Sequence, residues 1–152
     1  MEPHATLSEM DVIRFLTHVP IFSGIGLIEQ KMLADKCVMA YYRPEEKVIE
    51  QGDIGDKLYI IVKGSVNILV KTHSMGWKRV NILNSGDVFG EIAILRNVRR
   101  TARVTTITAC QFLTVSASDF LHIYQYFPDR ARDNIQLVLA KRLKESEAHG
   151  RL

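Results

Sequence analysis

A chain of 152 residues with 47% hydrophobic and 24% charged residues has the composition of an ordinary folded domain and the length for one core. A formal charge of +3 is too small to argue for a nucleic-acid surface, and no window approaches the ~20 apolar residues of a membrane helix. Acids and His4 near the start, in place of a basic-then-apolar run, argue against a signal peptide. Cys37 and Cys110 stand far apart without a Cys-x-x-Cys, which fits packed, reduced thiols in a cytoplasmic setting. The five histidines are scattered without ligand spacing, so no metal site is expected.

In chain order, Ser8 with Asp11 three residues on has the form of a helix start. Val12, Phe15, Leu16 and Val19 then recur at helical spacing, and Pro20 ends or bends that helix. Phe22-Ser23-Gly24-Ile25-Gly26 reads as a turn. A second helix is predicted from Leu27 to Cys37, with Ile28, Met32 and Leu33 on one side.

The character changes near Val38. Tyr41-Tyr42, Val48-Ile49, Leu58 to Val62, Val66 to Val70, Val80 to Leu83, Ala102 to Ile107 and Cys110 to Val115 are short apolar or alternating runs. Turn residues separate them, among them Pro44, Gly64 and Gly76. Many short strands at regular spacing predict an antiparallel barrel or sandwich. Gly52-Asp53 and Gly86-Asp87 repeat at a distance that suits two halves of a jelly roll. Thr72 to Lys78 reads as an exposed hairpin tip, with Trp77 packing across strands at its edge.

After Val115 the pattern turns helical again. Ser116 to Asp119 offers a cap, Phe120, Ile123, Tyr124 and Phe127 form an apolar face, and Pro128 breaks it. A longer helix is predicted from Asp129 to about Ala148, with Ile135, Val138, Leu139 and Leu143 in one stripe. Arg142 also falls on that stripe. It either lays its stem on the core and reaches for water or lies against a ligand.

The stretch with chemistry in it is Phe89-Gly90-Glu91-Ile92-Ala93, followed by Arg100-Thr101-Ala102. Gly90 lets the backbone approach a ligand where a side chain would block it. The helix-capable turn after it points unpaired N–H groups outward, which suits a phosphate. Arg100 supplies a fixed fork for phosphate oxygens, Thr101 adds a hydroxyl, and Ala102 leaves room beside it. Glu91 would repel a phosphate. As an acceptor-only group it must meet a donor such as a sugar hydroxyl. Arg96, Arg99, Arg100 and Arg103 concentrate positive charge beside this turn. Anion, hydroxyl and close backbone approach together suggest a nucleotide.

Phe-Gly-Glu-Ile-Ala and the Arg-Thr-Ala that follows resemble the phosphate-binding cassette of cyclic nucleotide-binding domains. That family includes the regulatory subunits of cyclic AMP-dependent kinase, catabolite activator protein and cyclic nucleotide-gated channels. The resemblance runs from about Phe15 to Leu143. It implies an α+β fold, an antiparallel β jelly-roll barrel flanked by N-terminal helices and a C-terminal lid helix. The expected organisation is a single domain over 1–152: helices over about 8–37, a β-roll over 38–115 holding the cassette at 89–102, and helices over 118–148.

The resemblance also implies roles. Arg100 pairs with the cyclic phosphate, shared by backbone N–H groups near Ala93 and Ala102. Glu91 accepts from the ribose 2′-hydroxyl. Val88 and Phe89 lie where barrel residues can flank the purine, although such apolar residues more often belong to the core, and Ile92 belongs to the ligand-binding set. A Thr at position 101 reaches phosphate and the 2-amino group of guanine in some members, yet channels with Thr still respond to cyclic AMP. Arg142-Leu143 resembles an Arg-Leu on the channels' lid helix, with Lys141 as the rival for contact. The ligand expected is cAMP or cGMP, with no metal or other cofactor.

No His/Asp cluster and no Ser–His arrangement is readable, so a binding module is expected and not an enzyme. The main reading is a sensor that signals by repositioning its C-terminal helix. The alternatives are a non-enzymatic interaction scaffold, or the ligand-binding fragment of a larger channel, kinase or transcription regulator. No nucleic acid and no membrane segment are expected for this chain, so its place is cytoplasmic or in the cytoplasmic part of a membrane protein.

Overall fold

The computed structural model describes residues 7–148; the readings placed on His4, His149 and the N-terminal approach lie outside them. The first elements described are α1 (Glu9–Leu16), a single 3-10 turn (Pro20–Phe22) and α2 (Leu27–Lys36). Eight strands follow: β1 (Val38–Tyr42), β2 (Lys47–Ile49), β3 (Lys57–Lys63), β4 (Val66–Thr72), β5 (Gly76–Leu83), β6 (Val88–Phe89), β7 (Arg103–Thr106) and β8 (Cys110–Ser116). A short helix, α3 (Glu91–Leu95), interrupts them after β6, and α4 (Ala117–Tyr124) and α5 (Asp129–Ala148) close the chain.

The strands form two four-stranded antiparallel sheets, β1-β8-β3-β6 and β2-β7-β4-β5. They face each other as a jelly roll, as the strand pattern predicts. Ile49, Tyr59, Ile61, Val66, Leu83, Phe89, Val104 and Phe112 fill the space between them. A second core lies on the far side of the first sheet, where Leu58, Ile60, Leu113 and Val115 pack against Leu16, Leu33, Phe120, Ile135 and Leu139 of the helices. The first sheet is therefore covered on both faces. That is why β3 reads as the unbroken apolar run Leu58 to Val62 rather than alternating. The second sheet has one face in water, and β7 alternates accordingly.

Local signals set the helices. Ser8 caps α1 in a reciprocal box, Asp11 N–H donating to its hydroxyl at 3.1 Å and Ser8 N–H to the Asp11 carboxylate at 3.2 Å. Ser116 caps α4 through the Asp119 N–H at 3.2 Å. Cys37 and Cys110 are free, with burial pushing the Cys37 thiol up to about 12.

Two sequence readings need correction. Ile28 is 74% exposed, and only Leu33 of the α2 side is fully buried. One turn of α2 meets the sheet, so a helical stripe overstated its core. The hairpin tip is only residues 73–75, because β4 and β5 pair out to Thr72 and Gly76. Polar residues there made a paired, solvent-facing ribbon look like a loop. Trp77 sits on that ribbon, where its ring carries the Arg103 guanidinium 3.7 Å from its centroid.

β5 also carries a bulge. Arg79 pairs with Leu69 and Asn81 with Ile68, which leaves Val80 as the extra residue. Asn81 then shares a face with Leu83, which is buried between the sheets.

Candidate functional site

A pocket opens at one end of the roll. It holds about 570 Å3 of space free of atoms, solvent at its mouth included. Its floor is Ile49, Ile68, Leu83 and Val104 from the inner faces of β2, β4, β5 and β7. One wall is the cassette from Phe89 to Ala93 with Arg100 to Ala102, and α5 contributes Arg142 and Glu145 above it.

Gly90 makes the cassette wall possible. It caps α3 with φ 89°, a left-handed conformation that costs little only for glycine. A Cβ there would stand 2.7 Å from Arg100 Nη1 and 3.0 Å from the Lys57 carbonyl. Gly55 is needed for space alone, since a Cβ would come within 2.6 Å of the Ala93 Cβ and 3.3 Å of Arg100 Cζ. Both glycines leave room for the arginine's guanidinium.

Arg100 is held by its own backbone first. Its N–H donates to the Asp53 carbonyl at 2.7 Å, and its carbonyl accepts from Gly52 N–H at 2.9 Å. The guanidinium then donates to the Gly90 carbonyl at 2.9 Å and the Lys57 carbonyl at 2.8 Å. Two of five N–H donors are thereby used. The residue is only 5% exposed, and its ion-pair partner, Asp56 at 3.6 Å, stands largely in water. Burial pulls the Arg100 pKa down, and Tyr59, Asp56 and Glu91 pull it back. The outcome is a buried cation with donors to spare and only a distant, solvated counter-charge. Such an arrangement favours an anion.

Glu91 is the complementary case. It is 1% exposed, and one carboxylate oxygen, Oε1, accepts from Arg142 Nη1. The other, Oε2, is buried without a hydrogen-bond partner among the described residues. A buried orphan acceptor costs about 1–3 kcal/mol unless a donor meets it. Arg142 Nη1 also donates to the Val88 carbonyl at 2.6 Å, so α5 is pinned over β6 and the start of α3 by one guanidinium.

The structure brings Phe89, Gly90, Glu91, Ile92, Ala93, Arg100, Thr101, Ala102 and Arg142 together around one pocket. Arg142 points to it, while Lys141 is exposed and does not line it. Val88 does not line it either. Its side chain is in the helical core, and only its carbonyl serves the site. The ring of Phe89 stacks on Tyr59 at 4.8 Å and meets Phe112 edge-on, so it belongs to the barrel core as much as to the pocket. Burial pushes the Tyr59 hydroxyl up to about 12.

Sequence reasoning missed Asn81 and Glu145, which also line the pocket. Asn81 had a usable signal, a polar residue two positions before the inward Leu83. Glu145 had one too, one turn beyond Arg142 on the same helix face.

Comparison with known proteins bears on this site. The family model described as Cyclic nucleotide-binding domain matches residues 39–127. The cAMP-dependent protein kinase regulatory subunit of Yarrowia lipolytica is 32% identical over 120 residues, 79% of this chain and 31% of that protein. The cGMP-dependent protein kinase of Toxoplasma gondii is 32% identical over 130 residues, 86% of this chain and 12% of that protein. Among solved structures, the regulatory domain of Toxoplasma gondii PKA with cAMP has a TM-score of 0.75 and 24% identity, covering 90% of this chain and 50% of that one, a likeness of fold. The chain thus spans a third or less of these two relatives' own length.

Proposed function

This chain belongs to the cyclic nucleotide-binding domain family, and we propose that its pocket binds a cyclic purine nucleotide and that the chain serves as the sensing module of a signalling system. The observation that carries the reading is the pairing of two opposite needs in one pocket. Arg100 is a buried cation with unused donors, and Glu91 is a buried carboxylate with an unused oxygen. A cyclic nucleotide presents an anionic phosphate joined to a ribose with a free 2′-hydroxyl, so one ligand meets both.

In this reading Arg100 takes the phosphate, with N–H groups at the start of α3 and near Ala102 sharing it. Glu91 Oε2 accepts from the ribose hydroxyl, and Gly90 permits the approach. Phe89, Ile92, Ala93, Thr101 and Ala102 shape the walls.

The groups around the pocket bind and orient, and none forms a nucleophile–base pair. We therefore read the site as a sensor and not as a hydrolase. Output runs through α5. Arg142 holds Glu91 Oε1 while the ribose takes Oε2, so helix and ligand stabilise the same arrangement of one carboxylate. The docking free energy gained cannot exceed the ligand's differential affinity for the docked and undocked states. A partner protein or a further domain would read that change.

Calorimetric titration with cAMP, cGMP and 5′-AMP tests the reading. Binding of a cyclic form at ~1 μM or tighter, about −8 kcal/mol, with 5′-AMP far weaker, is expected. Folded, ligand-free protein that takes neither cyclic form would leave an interaction scaffold.

A further inference from the structure

Charge is spread unevenly along the chain. Between Asp56 and Asp87 stand five cations, Lys57, Lys63, Lys71, Lys78 and Arg79, and no acid, so the net charge of +3 hides a remainder that is acidic on balance. Three of the five, Lys71, Lys78 and Arg79, lie on the β4–β5 hairpin, and all three are exposed. Among the described residues none of the three meets a carboxylate, whereas Lys47 and Arg103 on the neighbouring strands share Glu50. We propose that this hairpin and the outer face of the second sheet form a docking surface for an anionic lipid membrane.

The strand register lays the surface out. Val66 and Val70 of β4 are fully buried, so Asn67, Leu69 and Lys71 take the outer face. Cross-strand partners share a face. Lys71 lies opposite Trp77, and Leu69 lies opposite both Arg79 and Arg103. One face thus carries Lys71, Arg79 and Arg103 around Leu69 and the indole.

The tip beyond that face is built to project an apolar side chain. The Thr72 hydroxyl accepts from the Met75 N–H at 2.9 Å and donates to the Gly76 carbonyl at 2.8 Å. Met75 is left 83% exposed, more than any other large apolar residue described. Lys71 and Lys78 stand on the two strands behind it.

An apolar tip, then cations beside an indole, matches the layers of a membrane surface. Methionine enters the acyl boundary, and the indole suits headgroup depth. Lysine and arginine meet anionic headgroups while their stems cover apolar area. Nucleic acid fits less well. A base would stack on the indole, but the Arg103 guanidinium already lies over that ring, 3.7 Å from its centroid. A phosphate backbone also has no use for Met75. The pocket takes Ile68 and Leu83 from the inner faces of the same strands, so docking on the outer face uses none of its residues and does not rest on the nucleotide reading.

The test is sedimentation of the whole chain with vesicles of phosphatidylcholine alone and of phosphatidylcholine mixed with phosphatidylserine. Trp77 is the single tryptophan, so its fluorescence reports on this surface alone. The protein should pellet with the mixed vesicles and stay in solution with the neutral ones. Salt at ~1 M, where the Debye length falls to about 3 Å, should release it. Trp77 emission should shift to the blue on binding and be quenched by lipids brominated in the acyl chain. Lys71→Gln, Lys78→Gln and Arg79→Gln should each lower the partition coefficient roughly fivefold, as expected for one cation near an anionic surface. Met75→Ser should lower it without changing its salt dependence. All four side chains are exposed, so the variants should melt with the unmodified chain. Equal pelleting with neutral vesicles, variants that bind as the unmodified chain does, or unchanged Trp77 emission in the pelleted protein overturns the proposal. Retention of a single-stranded oligonucleotide or an acidic peptide without binding to the mixed vesicles overturns it too, and would make the surface an interface for that polymer.

Discussion

Replacing Arg100 separates the two things its guanidinium does. Inside the protein it ties the Gly90 and Lys57 carbonyls across the mouth of the cassette, at 2.9 and 2.8 Å. Arg100→Ala leaves both without that donor, at about 1–3 kcal/mol for each acceptor that stays dry. It also relieves the protein of a buried cation, a cost already visible in the lowered pKa. The net loss of stability should be ~1–2 kcal/mol, a fall in melting temperature of roughly 2–8 °C for a chain of this size. The loss of binding should be larger. Removing one partner of a buried charged pair costs about 2–5 kcal/mol, which at ~1.4 kcal/mol per tenfold is at least a 25-fold weaker complex. Thermal melting with and without nucleotide reads both at once. Ligand at 100 times its Kd stabilises the unmodified chain by ~2.7 kcal/mol, roughly 5–10 °C, and that increment should vanish in Arg100→Ala. Arg100→Lys keeps a point charge and loses the fork, so it should fall between. A variant that melts lower but still binds within threefold of the unmodified chain would refute the phosphate assignment and leave Arg100 a structural strut.

Two further outcomes follow from particular contacts. Glu91→Gln and Arg142→Ala should each weaken nucleotide binding, and the double variant should lose ~1–3 kcal/mol less than the sum, because the two residues act through one ion pair; additive losses in a double-mutant cycle would show that α5 does not act through Glu91. Glu50, bonded by Arg103 at 2.9 Å and by Lys47 at 2.9 Å, has its carboxyl pulled down to about 2 from 4.5. A depressed folded pKa gives stability that is present above the unfolded value and lost as pH falls from about 4.5 towards 2. Because the pair is partly in water, the loss is ~1 kcal/mol. Urea denaturation at pH 6 and pH 3 should show it shrinking in Glu50→Gln, and an equal loss in both proteins would contradict it.

The sequence by itself determined what depends on near neighbours. The Ser8–Asp11 box and the Ser116 cap are interactions over a few residues, and they fall where the letters place them, whereas α4 ends at Tyr124, four residues short of Pro128. The cassette was legible for the same reason. Gly90, Glu91 and Arg100 lie within eleven positions, and a left-handed glycine opening a short helix is a local device. Most strands of the jelly roll were legible as strands, because their period and their turn residues are local too; β6 and the first part of β5 were not read as strands.

Only the tertiary structure decided which groups meet across the chain. Glu91 and Arg142 are 51 positions apart, and their ion pair exists because Ala131, Ile135 and Leu139 dock α5 on a core that no single segment contains. Val88 turns away from the pocket because β6 joins a sheet buried on both faces, and a two-residue strand has no period to reveal which face is which. Asn81 falls on the same strand face as Leu83 because a bulge that depends on the pairing of β4 with β5 resets the alternation at Val80. In each case the side chain's direction is fixed by pairing with a distant segment, and a sequence read along its length carries the residue type but not the partner.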